Sequence, residues 1–529
     1  MVRRPETCFG SDVLTVAVTI AAAIAYLVSS FCLFVFGGNL LTFAIRVMRR
    51  GRPVEQPLVR LGETELPRVT VQLPIYNELY VSQRIIEAAC ALDYPGHLLQ
   101  IQVLDDSTDE TVVLIRQLVE RAQAEGVDIE HLHRSDRRGY KAGALAAGME
   151  TATGEFLAIF DADFVPGPDF LLRTVQEFSD PKIAFVQARW GHLNRDYSWL
   201  TQLQALAIDG HFLVEQSGRG DRGYWFNFNG TAGIWRADAI RDAGGWTADT
   251  LTEDLDLSYR AHLRGWRARY LEDLVVPAEL PTQVMSFRRQ QHRWARGSIE
   301  CARRLLPEVW RSDAGVGTKF QATMHLCAYG IHLLLLGLLL IYPAVIAAGT
   351  RYSGFSTLYG VGYLFAITSI APGVFFAVGQ RQGGKRWWRE VPRIMLVTVF
   401  GSGLMLNTAR AALEIFTKPN PEFERTAKLG LARSSAEPWA HKRYQLGVDK
   451  IVFAEIALAA YAFGTVWLAY KNSNIGILIY AAIFGAGLLS MAGATIAHAV
   501  AAHRGREQRQ VLTASEDAKW GDLAADLLQ

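Results

Sequence analysis

The stretch 155–164, "EFLAIFDADF", decides the fold. An apolar run with the length of a buried strand ends abruptly in Asp161 and Asp163, and the chain then turns at Pro166 and Gly167. Alternate residues of a strand face the same way, so both carboxylates can reach one hard cation through oxygen ligands, with phosphate oxygens as the usual further ligands. Read alone, the pair is more often what a solvated loop shows, since Asp-x-Asp arises by chance in many proteins. Its meaning comes from its neighbours.

Two earlier runs have the same form. "RVTVQLP" (68–74) and "IQVLDD" (101–106) are short and β-rich and end in polar residues, and the 3.6-period pattern "TVVLIRQLVERAQAEG" (111–126) follows the second. Strands alternating with amphipathic helices predict strand–helix–strand units and a mainly parallel sheet. Ligands of such sheets bind beyond the carboxyl ends of the strands, which is where "DDSTD" and "DADF" fall. Asp105 and Asp106 suit ligand binding or, with Ser107 and Thr108, the capping of the next helix. In "RRGYKAGAL" (137–145), Arg137, Arg138 and Lys141 stand beside small residues that open a helix, a place for phosphate or sugar hydroxyls or simply a charged surface. Further on, "TEDLDL" (252–257) supplies Glu253, Asp254 and Asp256. A carboxylate there can take the proton of an attacking hydroxyl. "QQHRW" (290–294) sets Gln290, Arg293 and Trp294 within about a turn, an amide, a guanidinium and an indole able to bind a pyrophosphate and stack a sugar ring. An amphipathic membrane-surface helix also explains "FRRQQHRWARG".

The 529-residue chain is 50% apolar with a net charge of only +2, which points to a membrane component and gives no global argument for nucleic acid. Its five scattered cysteines include no Cys-x-x-Cys pair, so neither a disulfide framework nor a structural zinc site is indicated. From Val13 to Ile45 the chain is nearly uncharged, and "RVMRRGR" follows at once, the order of an anchor whose C-terminal end is cytoplasmic rather than of a signal peptide. Apolar segments return at 321–349, 357–379, 391–413, 450–470 and 474–500. The basic stretches "RQGGKRWWRE" and 418–443 both read as cytoplasmic, so segment 391–413, with Gly401, Gly403, Asn407 and Arg410 inside it, is expected to lie in the interface or re-enter rather than cross. The expected division is an anchor at 1–50, a cytoplasmic catalytic domain at 51–318, membrane helices with the interfacial segment at 319–413, a cytoplasmic region at 414–448, and two spans with a basic tail at 449–529.

In order, "PIYNE", "DDSTD", "KAG", "DADF", "NGTAGIWR", "TEDLDL" and "QQHRW" make the chain resemble, over about residues 65–310, the inverting, membrane-integrated family 2 glycosyltransferases. That group contains the cellulose synthases and the plant cellulose-synthase-like mannan and glucan synthases. The resemblance implies a GT-A fold, an α/β domain binding a nucleotide-diphosphate sugar, joined to an α-helical transmembrane region in the plasma or inner membrane. It implies that Tyr76, Glu78, Asp105, Asp106, Lys141 and Asp161 hold the donor, that Asp161 and Asp163 carry Mg2+ or Mn2+, that Asp254 beside Glu253 is the general base, and that Gln290, Arg293 and Trp294 hold the acceptor end and pyrophosphate. "FERTAK" (423–428) resembles the gating loop of processive synthases at Phe423, Thr426 and Lys428.

The implied reaction is transfer of a hexose from UDP-glucose or GDP-mannose to a growing β-linked polysaccharide, coupled to translocation through the surrounding lipid. A transferase making a glycolipid on a lipid acceptor is the alternative product class, and a catalytically silent scaffold the alternative of another kind. The scaffold predicts loss of a carboxylate at 161, 163 or 254, and all three are present. Where cellulose synthases carry Phe-Phe-Cys-Gly-Ser, this chain has "FNFNGTAG" (226–233), so the product need not be cellulose. No C-terminal regulatory domain for a cyclic dinucleotide is expected.

Overall fold

A computed structural model of the chain describes residues 8–51, 66–352, 362, 364–418, 425–431, 439, 447 and 449–526, with backbone only for 8–15 and 505–526. Phe423 and the basic residues Arg433, Lys442 and Arg443 lie outside the described residues.

Among the described residues, seven strands form one sheet in the order β3-β2-β1-β4-β6-β5-β7: β1 (Val69–Ile75), β2 (Leu99–Asp105), β3 (Ile129–His133), β4 (Phe156–Ile159), β5 (Ile183–His192), β6 (Gly233–Arg236) and β7 (Arg267–Ala278). β6 runs antiparallel to both its neighbours, and every other pairing is parallel. The three strands expected from sequence are β1, β2 and β4. Alternation dictates how they are buried. Val69, Val71, Leu73 and Ile75 face one core with Ile101 and Val103, covered by Ile85 of the helix Ser82–Cys90 and Ile115 of the helix Thr111–Ala124. On the other face, Leu104, Leu157, Ile159 and Phe185 pack with Leu145, Trp235 and Leu257. The intervening polar residues are buried too. They satisfy one another: Thr70 donates to Gln100 at 2.8 Å and Gln72 to Gln102 at 3.0 Å, which offsets the cost of removing amides from water.

The helices that position the site are α1 (Cys8–Arg50), α2 (Tyr140–Thr151), α3 (Trp199–Gly210), α4 (Glu253–Leu263) and the long α5 (Val284–Arg311). Among the described residues, six helical stretches are long and apolar enough to cross a membrane: Val16–Arg50, Gly330–Arg351, Leu364–Gln382, Val391–Thr417, Ile451–Lys471 and Ile475–Arg504. The apolar segment read as starting at 321 is split. Ala322 and Leu326 pack on Tyr259, Cys301 and Leu305, so its first part covers the sheet domain.

Segment 391–417 is broken into α6 (Val391–Ser402) and α7 (Met405–Thr417). Both of its ends touch the sheet domain. Arg393 donates to Gln202 on α3 at 2.9 Å, while at the far end Glu414 meets His292 at 3.0 Å and Arg296 donates to the carbonyl of Lys418 at 2.5 Å. Asn407 donates to the Arg288 carbonyl at 3.1 Å, whereas Leu413 and Phe416 are exposed, the layout of a helix with one polar and one apolar face. Close by, the buried Arg288 of α5 pairs with the buried Glu455 at 2.7 Å, an ion pair joining the sheet domain to the span Ile451–Lys471.

Candidate active site

The ends of β1, β4 and β5, the first turns of α2 and α4, the face of α5 and the segment 425–431 meet in one cavity. Its walls include Tyr76, Glu78, Asp106, Lys141, Asp161, Asp163, Glu253, Asp254, Gln290, Arg293, Trp294, Thr426 and Lys428. These were singled out in seven separate motifs spread over some 350 residues of chain, yet the fold brings them together.

At the β1 end, Arg137 stacks 3.5 Å above the Tyr76 ring, making a flat cationic platform. Glu78 faces Arg425 at 3.7 Å. Burial raises the Glu78 carboxyl to about 7, with Arg425 opposing and Asp163 reinforcing the shift. Asp106 grips Arg134 with both oxygens, at 2.8 and 2.7 Å. Asp105 turns the other way, into the gap between β2 and β3, and is not part of the cavity wall. The strand ends therefore separate the two adjacent aspartates that sequence placed together at the donor.

Asp161 accepts from Lys141 at 2.5 Å, and Lys141 also donates to the Gly230 carbonyl at 2.7 Å. Asp163 is bonded to Lys428, which comes from the segment beyond α7. Burial alone would lower both lysines, but their carboxylate partners raise them above the usual value. The two aspartates thus sit at the cavity with only oxygen donors to offer, a set that fits a hard cation such as Mg2+ or Mn2+. Lys428 also settles where 425–431 lies: on the sheet domain, with Leu429 N–H donating to Glu279 at 3.0 Å.

Three carboxylates share the first turn of α4 but not a role. Asp256 is fully buried and is held by Arg260 at 2.7 Å, so it fixes the helix. Asp254 and Glu253 face the cavity. Burial and the neighbouring Glu253 lift Asp254 to about 7, against the pull of Lys141, so at neutral pH it exists both with and without its proton. Gly230, in the left-handed region at φ 77°, passes so close that an added Cβ would stand 3.1 Å from the Asp254 carboxylate. Any larger residue in "NGT" would press on it.

Among the polar and aromatic lining residues that sequence reading missed are Arg425, Trp190, His192 and Glu279. Arg425 lies inside "FERTAK" between the positions chosen, while Trp190, His192 and Glu279 carry no motif. His192 donates to Asp209 at 2.8 Å, and the other carboxylate oxygen accepts from Arg195 at 2.9 Å and Gln380 at 3.1 Å. Burial disfavours the Asp209 charge, but the His192 bond and the Lys385 and Arg195 charges hold its carboxyl well below the usual range.

A sheet of mixed order with a carboxylate-rich cavity at its strand ends, followed by long apolar helices, defines a GT-A glycosyltransferase domain joined to a helical membrane region. Residues 67–297 match the family described as glycosyltransferase like family 2. The chain is 33% identical over 462 residues to glucomannan 4-beta-mannosyltransferase 1 of Oryza sativa subsp. japonica, covering 82% of this chain and 85% of that protein. It is 47% identical over 260 residues to glucomannan 4-beta-mannosyltransferase 2 of Arabidopsis thaliana, a match spanning 48% of each. Among solved structures, a mannosyltransferase of Pyrobaculum calidifontis in complex with GDP-Man and Mn2+ aligns at 21% identity and a TM-score of 0.46, over 76% of this chain and 99% of that one. The chain belongs to glycosyltransferase family 2, and it is a hexosyltransferase of the cellulose-synthase-like kind.

Proposed function

We propose that the protein transfers mannose from GDP-mannose to the end of a β-1,4-linked mannan or glucomannan, with inversion at the anomeric carbon. The observation that carries the reading is the convergence of Asp161, Asp163, Asp254, the Gln290-Arg293-Trp294 face and Lys428 on one cavity. The choice of mannose over glucose rests on the names of the plant relatives.

In the reaction, the acceptor hydroxyl attacks the anomeric carbon, its proton passes to the Asp254 carboxylate, and the bond from that carbon to the diphosphate oxygen breaks with its electron pair leaving on GDP. The lifted proton affinity of Asp254 suits this task, because a base is most useful when its pKa lies near the working pH. Glu253 maintains that affinity by its charge. Tyr76 and Arg137 hold the nucleotide with Glu78 and Asp106, and Arg293 and Lys428 meet the diphosphate. Trp294 stacks the acceptor sugar and Gln290 orients it. A divalent ion on Asp161 and Asp163 would supply charge stabilisation to the departing diphosphate. Thr426 and Lys428, with Phe423 nearby in the chain, form the gate over the donor.

The same geometry supports a topology. Segment 391–417 begins and ends on the sheet domain, so it does not traverse the bilayer, and five helices do. The N-terminal span ends at Arg49 and Arg50, which under the positive-inside rule supports a cytoplasmic catalytic domain, loop 383–390 and gate. The functional units are then the anchor 1–50, the catalytic domain 51–318, the membrane region 319–413, the gate region 414–448 and the final pair 449–529.

The test offers radiolabelled GDP-mannose, UDP-glucose and UDP-N-acetylglucosamine separately to the purified full chain with Mg2+ or Mn2+, and digests the product with linkage-specific hydrolases. Long chains from GDP-mannose that a β-1,4-mannanase degrades are the expected result. Label confined to the lipid fraction would replace the polymer reading with the glycolipid one.

A further inference from the structure

We propose that Asp105, His131 and His133 form a binding site for a divalent transition-metal ion of the zinc class, separate from the oxygen donors Asp161 and Asp163. The site is a product of strand register. β2 and β3 are parallel, with Asp105 opposite His133 and Val103 opposite His131. Residues two apart on a strand share a face, so both imidazoles lie on the side to which Asp105 points.

The donor atoms are already gathered. Asp105 is fully buried, and its Oδ2 lies 2.8 Å from His131 Nε2 and 3.3 Å from His133 Nδ1. Its other oxygen is fixed by the Ser107 N–H at 2.8 Å, so the carboxylate cannot swing away. All three ligand atoms fall within 4.8 Å of one another, and among the described residues this is the one His, Cys, Asp and Glu group that does so. Metal–ligand lengths of about 2.0–2.1 Å in a tetrahedron place ligand atoms about 3.3 Å apart, against 2.8 and 3.3 Å here from Asp105 to the two imidazoles. Two imidazoles and one carboxylate are the donors of zinc, cobalt and nickel rather than of magnesium. His131 is 12% exposed and His133 38%, which leaves an entry path and room for a water as fourth ligand.

The ion would stand behind the donor cavity, which none of its three ligands lines. It would tie the end of β2 to the end of β3, where the chain enters the loop 134–140. Arg134 of that loop holds Asp106 and donates to the carbonyls of Arg138 and Tyr140, both at 3.1 Å, and Arg137 stacks on Tyr76. Occupancy therefore stiffens the nucleotide platform and acts on donor KM more than on kcat.

The test is a Co2+ titration of the full-length, tag-free, chelator-treated protein in detergent, with excess Mg2+ present to fill the oxygen sites and no donor sugar. One equivalent should bind with the intense visible absorption of tetrahedral Co2+, be displaced by Zn2+, and be lost in His131→Ala/His133→Ala. The single variant His133→Ala, at a half-exposed position, should keep the melting temperature and weaken Co2+ at least tenfold. Equal stoichiometry and affinity in wild type and the double variant would overturn the proposal and leave the cluster as hydrogen bonds alone. Because no turnover is read, failure here is distinct from failure of the mannosyltransferase reading.

Discussion

Two aspartates, Asp254 on the cavity wall and Asp209 bonded to the wall residue His192, have opposite electrostatic fates. Asp209 is met by His192, Arg195, Gln380 and Lys385 and stays ionised, whereas Asp254 has a carboxylate for its neighbour and is lifted to about 7. Burial works against the charge in both. What differs is the supply of partners. A saturated carboxylate fastens elements together, here α3 to the helix Ala371–Gln382, while an undersupplied one is held ready to exchange a proton.

The largest effect that would sharpen this contrast is on turnover. Asp254→Asn should lower kcat by about 10³-fold or more without loss of folded protein, because the side chain keeps its volume and the buried charge is removed. Asp209→Asn should do the reverse, losing thermal stability by several degrees while retaining most of kcat in the protein that remains folded.

A comparably large stability effect is expected where the sheet domain meets the membrane helices. Arg288→Met leaves Glu455 buried and unpaired, at a cost of about 3–5 kcal/mol, and Glu455→Leu in the same protein should recover much of it. A double variant no more stable than the single one would show that the pair is not what joins the two regions.

The pH dependence tests the same asymmetry at smaller scale. With Asp254 at about 7 and active as the base, kcat should fall about tenfold per unit below that pH and level off above it. Glu78 also titrates near 7, so Glu78→Gln should leave this limb in kcat in place while altering donor KM. The stability sign is opposite to that of an ordinary ion-paired aspartate. With a folded value raised above the ordinary 3.8, the folded state binds the extra proton between about 4 and 7, so Asp254 stabilises less as pH rises through that window. Asp254→Asn should therefore melt higher than wild type at pH 8 and about equally at pH 4.

The smallest effect concerns the proposed gate. Lys428→Ala removes the partner of Asp163 and should raise donor KM about tenfold with a lesser change in kcat. An unchanged KM would detach the segment 425–431 from the donor.

What was legible in the sequence follows from local rules. The strands β1, β2 and β4 were readable because short, β-rich apolar runs end in polar residues, and the ends of β2 and β4 carry Asp106, Asp161 and Asp163. The glycines, the asparagine and the charge of the flanks led to the expectation that 391–413 lies in the interface or re-enters, whereas the break of the helix between Ser402 and Met405 was not part of that reading. The outward turn of Asp105 was not legible, because it depends on the pairing of β2 with β3, and neither was the Asp209 network, whose members Gln380 and Lys385 lie more than 170 residues away in sequence. Glu279 and His192 sit at strand ends with no motif around them. Only the register of β5 and β7 brings them to the wall.

The central claim is tested most directly by single-turnover transfer from radiolabelled GDP-mannose in Asp254→Asn and wild type, with melting temperatures measured in parallel at pH 8. The account predicts that the variant binds donor, melts at or above wild type, and transfers at less than about a thousandth of its rate. A folded variant that transfers at the wild-type rate would contradict it, and the base would have to be sought elsewhere in the cavity.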